Sequence, residues 1–187
     1  MSSLGQSATT ILALFLAAVL VVGVPLMTLT DRVDNVTQEN VKLIVNEFVT
    51  EITNTGKLSR TAYQNFENRL AATGNTYDVE IEIHHLDENP GKKTAQANYT
   101  KIGENVYYIE YTTQVLKHIG IKVDNESPDN EDTMLLKKGD MVYVSVKNEN
   151  STAAQTLKSS LFNYSNSDEY VISASAPGMV TVNGTKD

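Results

Sequence analysis

The run Ile11–Leu29, ILALFLAAVLVVGVPLMTL, is 19 residues without a charge, placed ten residues from the start of the chain. A helix rises about 1.5 Å per residue, so this length spans roughly the 30 Å hydrocarbon core of a bilayer. Three readings compete for it: a cleaved secretory signal, a buried helix of a soluble domain, and a retained membrane helix. A signal needs a basic n-region, a shorter apolar stretch and a small-x-small cleavage site. The leading MSSLGQSATT has no Lys or Arg, and the run ends in VPLMTL. A buried helix of a soluble protein rarely stays apolar on every face for five turns. The retained helix is therefore the expectation, with Ile11, Leu14, Phe15, Leu20, Val24, Pro25 and Leu29 as its membrane-anchoring positions. Gly23 and Pro25 are consistent either with the ordinary composition of membrane helices or with a bend where the helix leaves the bilayer or joins a bundle.

Beyond the run the period changes. From Val33 to Thr55, Val41, Ile44 or Val45, Phe48 and Ile52 recur at helical spacing, with Asp34, Glu39, Asn46 and Glu47 off the stripe. Gly56 is the expected stop. Ser59 is positioned to cap a second helix carrying Tyr63, Phe66 and Leu70 and closed by Gly74. Tyr77–His85 alternates strictly and predicts a half-buried strand. Asp87–Lys101, with Asn89-Pro90-Gly91, reads as a loop. Asn105–Ile119 suggests a strand and then a short helix capped by Thr112 or Thr113 and carrying Val115, Leu116 and Ile119.

Asp124–Asp132 reads as a solvated acidic loop. It holds five carboxylates but lacks the glycine of a calcium loop. Lys138-Gly139-Asp140 is a turn, and Val142, Val144 and Val146 mark a second strand. A helix capped by Asn150 or Ser151 follows, with Ala154, Leu157 and Leu161 inward. Asn163–Ser167 turns the chain into a third strand over Glu169–Ala176. Pro177-Gly178 predicts a tight turn, with Met179–Val182 returning as a fourth strand. The fold class is α+β: an N-terminal transmembrane helix continuing into an amphipathic helix, then a small, mainly antiparallel sheet with helices on one face. The divisions are a short tail at 1–10, the transmembrane helix at 11–29, a stalk helix at 30–56 and an α+β head at 57–187.

Charge narrows the partners. Residues 1–30 are uncharged, so the 15 basic and 23 acidic residues, net −8, all lie beyond them. Nucleic acid and anionic lipid headgroups call for a positive footprint, so neither is expected as a direct partner of the head. The chain has no cysteine, which excludes disulfides, thiolate metal sites and thiol catalysis. The flanking charges, Arg32 and Lys42 against Asp31, Asp34 and Glu39, lean slightly toward a cytoplasmic C-terminal side. The Thr-, Asn-, Ser- and Tyr-rich, Arg-poor composition argues for an extracytoplasmic head, which is the orientation expected here. Six N-x-S/T triplets, starting at Asn35, Asn98, Asn125, Asn150, Asn163 and Asn183, follow from a composition rich in those residues.

No motif of a hydrolase, metalloprotease, P-loop or dinucleotide fold occurs, so no catalytic, cofactor or metal residue is assigned and no enzymatic activity is expected. His84 and His85 are adjacent on a strand and point to opposite faces, so they cannot chelate one metal together. His85 follows the apolar parity, while His84 joins Glu80 and Glu82. Glu82 and His84 with a distant carboxylate are a metal set without ligand spacing, and His118 stands alone. Tyr99, Tyr107, Tyr108 and Tyr111 cluster in sequence and form a candidate interaction surface, or else pack over the sheet.

The stretches Gly139–Leu157 (GDMVYVSVKNENSTAAQTL), Pro177–Gly184 (PGMVTVNG) and Thr55–Gly74 (TGKLSRTAYQNFENRLAATG) lie behind a polar leader and an apolar helix with a proline near its far end. This layout resembles pilin-like proteins, and in particular the small single-span proteins of Tad-type pilus machinery in Gram-positive bacteria. Processed type IV prepilins carry a basic leader ending in glycine and a glutamate five residues on. Here the leader ending at Gly5 has no basic residue, and Thr10 stands at the glutamate position. The resemblance thus implies a single-pass, membrane-anchored structural or accessory subunit of a bacterial surface apparatus. Its partners would be the membrane and other single-span subunits, or copies of itself as a homo-oligomer, with no cofactor. The alternative is an extracytoplasmic ligand- or peptide-binding sensor module on one anchor.

Overall fold

The apolar run and the amphipathic stripe lie on one helix. In a computed structural model, which describes residues 3–86, 107–123, 127–129, 131–152, 155–156, 159–160 and 171–185, α1 runs unbroken from Ser3 to Thr55. The sequence suggests a membrane helix and a stalk, and nothing between Leu29 and Val41 interrupts helical backbone. Pro25 sits inside α1 and has no N–H for the carbonyl four residues back. The Thr28 hydroxyl donates to the Val24 carbonyl at 3.1 Å. Gly56, at φ 64°, ends the helix in a conformation that favours glycine.

The chain divides into two compact units, one of Met1–Gln38 with Ser151–Tyr170 and one of Glu39–Asn150 with Val171–Asp187. Within the first, Thr152 donates to Asp34 at 3.0 Å. Thr152 also forms a reciprocal cap with Gln155. The Gln155 N–H donates to the threonine oxygen at 3.2 Å, and the Thr152 N–H donates to Gln155 Oε1 at 2.7 Å. The sequence suggests Asn150 or Ser151 as the cap; the reciprocal bonds belong to Thr152. Residues 155–156 and 159–160 are helical. Ala154, Leu157, Leu161 and the Asn163–Ser167 turn lie outside the described residues.

The second unit holds the α+β fold and, among the described residues, the buried hydrophobic core. After α1 come β1 (Lys57–Ser59), α2 (Arg60–Ala71), β2 (Tyr77–Leu86), β3 (Tyr107–Tyr111), α3 (Thr112–His118), β4 (Thr133–Leu135), β5 (Met141–Asn148) and β6 (Ser173–Met179). One antiparallel sheet has the order β3-β2-β5-β6, and β1 pairs with β4 in a second. Register aligns Ile81, Val144 and Ala176 across three strands, and Ile83, Val142 and Gly178 beside them. These residues share the inner face with Val146 and Ala174. Val41, Ile44, Val45, Phe48, Val49 and Ile52 of α1 are buried in the same core, as are Tyr63, Phe66 and Leu70 of α2. Phe48 stacks on Phe66 with ring centroids 4.2 Å apart, and Glu47 pairs with Arg69.

Three sequence-based expectations change, and one pair of strands is new. The strand pair β1–β4 has no counterpart in the sequence pattern, because three residues are too few to show a period. Pro177-Gly178 is not a turn, and Met179–Val182 is not a returning strand. Instead β6 passes straight through, with Pro177 opposite Tyr143 and Gly178 opposite Val142. β6 is an edge strand, where a residue without an N–H is tolerated. A Cβ on Gly178 would lie 2.6 Å from Val49 Cγ1 and 2.7 Å from Thr53 Cγ2, so the glycine makes room for α1. Neither Thr112 nor Thr113 is the cap of α3. The N-cap position is Tyr111, whose N–H donates to Gln114 Oε1 at 3.0 Å. Thr112 turns to β2, accepting from the Ile81 N–H at 2.8 Å. The Ser59 cap, by contrast, holds, with the Ala62 N–H donating to its hydroxyl at 3.1 Å.

Candidate functional site

Three regions bear on function. The first is the apolar part of α1. It is long and apolar enough to cross a membrane, and its most apolar window has no buried residue. Ile11, Leu14, Phe15, Leu20, Val24, Pro25 and Leu29 are all exposed, Ile11 by 68% and Leu14 and Phe15 by 67% each. Side chains of this kind lose about 1.5–3 kcal/mol each when left in water rather than buried.

The second region is built around Asp140. Gly139, at φ 100°, closes the turn before β5, and the Asp140 N–H donates to the Lys137 carbonyl at 3.0 Å. Asp140 is only 1% exposed. Its Oδ1 accepts from the Leu86 N–H at 3.0 Å, and its Oδ2 accepts from the Lys137 N–H at 2.9 Å. The same Oδ2 lies 3.0 Å from His85 Nδ1. Both carboxylate oxygens already act as acceptors, so Nδ1 is the donor. In the neutral imidazole this leaves Nε2 as a lone pair. That Nε2 is buried without a hydrogen-bond partner and faces Glu110 Oε1 at 4.0 Å.

Glu110 lies on β3 opposite Ile83, and its other oxygen stands 3.1 Å from Nδ1 of His118, the last residue of α3. Nε2 of His118 faces Asp129 at 3.8 Å. The Tyr108 ring stacks on His85 at 4.7 Å. His85, Tyr108, Glu110, His118 and Asp140, with Glu131, Met134 and Lys137, line a cavity of about 470 Å³. Among the described residues no Ser or Thr lines it, so the lining offers hydrogen-bond acceptors and charge but no hydroxyl nucleophile other than the Tyr108 phenol.

Alternation along β2 predicts His85 inward, as found, but says nothing of its partners. His85 and Asp140 are 55 residues apart, and Glu110 and His118 lie on two further elements. The signal is the register. Pairing β2 with β5 sets His84 opposite Met141, which brings the neighbours His85 and Asp140 together. His118, isolated in the sequence, stands against Glu110.

The third region is the outer face of the sheet. Alternation splits the tyrosine cluster. Tyr107 and Tyr111 lie beside His84 and Glu82 on the outer face with exposed Ile109, whereas Tyr108 lies on the other face over His85. Tyr99 lies outside the described residues. Tyr143, Met141 and Met179 extend the outer face across β5 and β6, and the Tyr143 ring stands 4.8 Å from His84. Glu82 and His84 approach to 3.4 Å. Among the described residues no group of three or more His, Asp or Glu side chains stands ready to hold a metal ion. Comparison with known protein families, with curated proteins and with solved structures finds no match for the chain.

Proposed function

We propose that this chain is a membrane-anchored structural or accessory subunit of a bacterial surface apparatus, pilus-like in plan. Ile11–Leu29 crosses the bilayer once, and the α+β head lies on the extracytoplasmic side. The observation that carries the reading is the apolar window of α1, which among the described residues has no buried member. Water is a poor solvent for such a surface, whereas lipid and neighbouring apolar helices are good ones. The continuity of α1 adds support. One helix holds both the apolar positions Ile11–Leu29 and the core positions Val41–Ile52. The acidic head suits a partner other than anionic lipid.

A photo-crosslinking residue placed at Leu20 or Val24 in native membranes tests the assembly. Adducts to other single-span subunits or to a second copy are expected, and recovery of the uncrosslinked monomer alone contradicts it. The outer face with exposed Ile109, Tyr111 and Tyr143 favours the second reading, a binding module on the same anchor, because exposed tyrosines suit peptide or glycan contacts. That reading predicts loss of ligand capture, with anchoring intact, on Tyr111→Ala.

A further inference from the structure

We propose that β3 is the contact strand of a homodimer. It pairs edge to edge and antiparallel with β3 of a second copy of this chain, in a register that sets Tyr108 opposite Tyr108. The contact is independent of the membrane role. β3 is one edge of the four-stranded sheet, and among the described residues β2 is its only strand partner. The two edges differ. β6 carries Pro177, which has no N–H to offer, whereas Tyr107–Tyr111 holds no proline, glycine or lysine. An edge without such a blocking residue presents its outward N–H and C=O groups as a template for another strand. Glu110, the one charge in β3, faces His118 at 3.1 Å and is only 17% exposed, so it brings no bare charge to the contact.

Two hydrogen bonds fix which backbone groups point outward. The Ile81 N–H donates to Thr112 Oγ1 at 2.8 Å, so Ile81 and, by alternation, Ile83 and His85 turn their backbone groups toward β3. Their register partners Glu110 and Tyr108 are then the residues bonded to β2. Tyr107, Ile109 and Tyr111 therefore point their N–H and C=O groups away from the sheet. The Tyr111 N–H agrees, since it donates to Gln114 Oε1 at 3.0 Å and not to β2. That bond takes the Tyr111 donor at the start of α3 and leaves Tyr107 and Ile109 to pair. A two-fold arrangement centred on Tyr108 sets Tyr107 of each copy opposite Ile109 of the other, and their N–H and C=O groups satisfy one another. Centring on Ile109 would call on the Tyr111 N–H, and centring on Glu110 would set like charges opposite each other. The side chains fit the same register. Tyr108 is 50% exposed and Ile109 39%. Aromatic–aromatic and aromatic–β-branched pairs are the cross-strand contacts that stabilise sheets. Tyr108 meets Tyr108 at the non-hydrogen-bonded site, where side chains stand closest, and Ile109 meets Tyr107 on the outer face.

The chain has no cysteine, so one introduced thiol reports the contact in the full chain in detergent micelles. In the pair at Tyr108 the Cα atoms stand about 4.5 Å apart, within disulfide reach. The two Ile109 positions are diagonal neighbours about 7–8 Å apart, beyond that reach. Under mild oxidation Tyr108→Cys should form disulfide dimers about tenfold faster than Ile109→Cys, or than Ser175→Cys on β6. Association through the anchor alone would raise all three alike. Ile109→Pro removes an outward N–H and no bond to β2. Added to Tyr108→Cys, it should slow dimer formation about tenfold with circular dichroism unchanged. Ile109→Lys should do the same if the proline variant unfolds. A photoreactive maleimide on the Tyr108→Cys thiol, in native membranes, should capture a second copy of the chain. Equal rates at the three positions, dimer formation undiminished by either Ile109 substitution, or capture of a different protein at the thiol overturns the proposal.

Discussion

At the scale of single residues, Asp140 is a buried acceptor for three donors at once. It accepts from two backbone N–H groups and from His85 while almost wholly buried. Asp140→Ala leaves three donors without an acceptor, and each orphan costs about 1–3 kcal/mol. Urea unfolding of the full chain in detergent should show a loss of about 3 kcal/mol or more, and a loss under about 1 kcal/mol would mean that the turn reorganises. Tyr63 gives a pH signature. Burial pushes its phenol well above the ordinary value of 10.0, and the Glu67 carboxylate adds to the shift. The folded state therefore holds this proton after the unfolded chain has released it. The stabilisation is complete below about pH 10 and falls as pH rises above it. Tyr63→Phe should make the alkaline loss of stability shallower, and an unchanged slope contradicts the assignment. Parity along β2 is enough to place His85 inside. Its partner is not legible, because the contact depends on strand register across 55 residues of chain.

Among the elements, α1 and β6 show what periodicity can and cannot say. The stripe Val41, Ile44, Val45, Phe48 and Ile52 is visible because successive turns of one helix repeat one signal, and all five residues are buried. The strands at Tyr77 and Val142 are equally plain. The course of β6 is not, because Pro-Gly is a strong turn signal when read locally. What overrides it is tertiary: an edge position for Pro177, and a helix passing so close that only glycine fits at 178. Val49 and Thr53 are β-branched and stiff at χ1, so they give way poorly. Gly178→Ala should cost about 1–3 kcal/mol through overpacking. Amide exchange should speed up along β6 more than along β2. Equal protection in variant and parent would show that α1 does not press on this strand. The β1–β4 pair and the Thr152 cap escape a sequence reading for a related reason, since each is defined by partners and not by a repeat.

For the whole molecule, segregation is the governing fact. Every charged side chain lies beyond residue 30, and the apolar run Ile11–Leu29 of α1 lies before it. That division is legible from composition alone. The cavity between His85 and His118 is not, since it gathers residues from β2, β3, α3 and the turn before β5. If lipid is the solvent of the first thirty residues, one charge in the middle of the run is costly. Leu20→Arg should destabilise insertion by about 2.5–3.5 kcal/mol and shift the protein toward the soluble fraction. The parent chain provides the most direct measurement. Membranes from cells making the full-length protein are washed with alkaline carbonate and sedimented. The account predicts that the protein stays in the pellet and leaves it only with detergent. Recovery of the intact chain in the carbonate supernatant would contradict it.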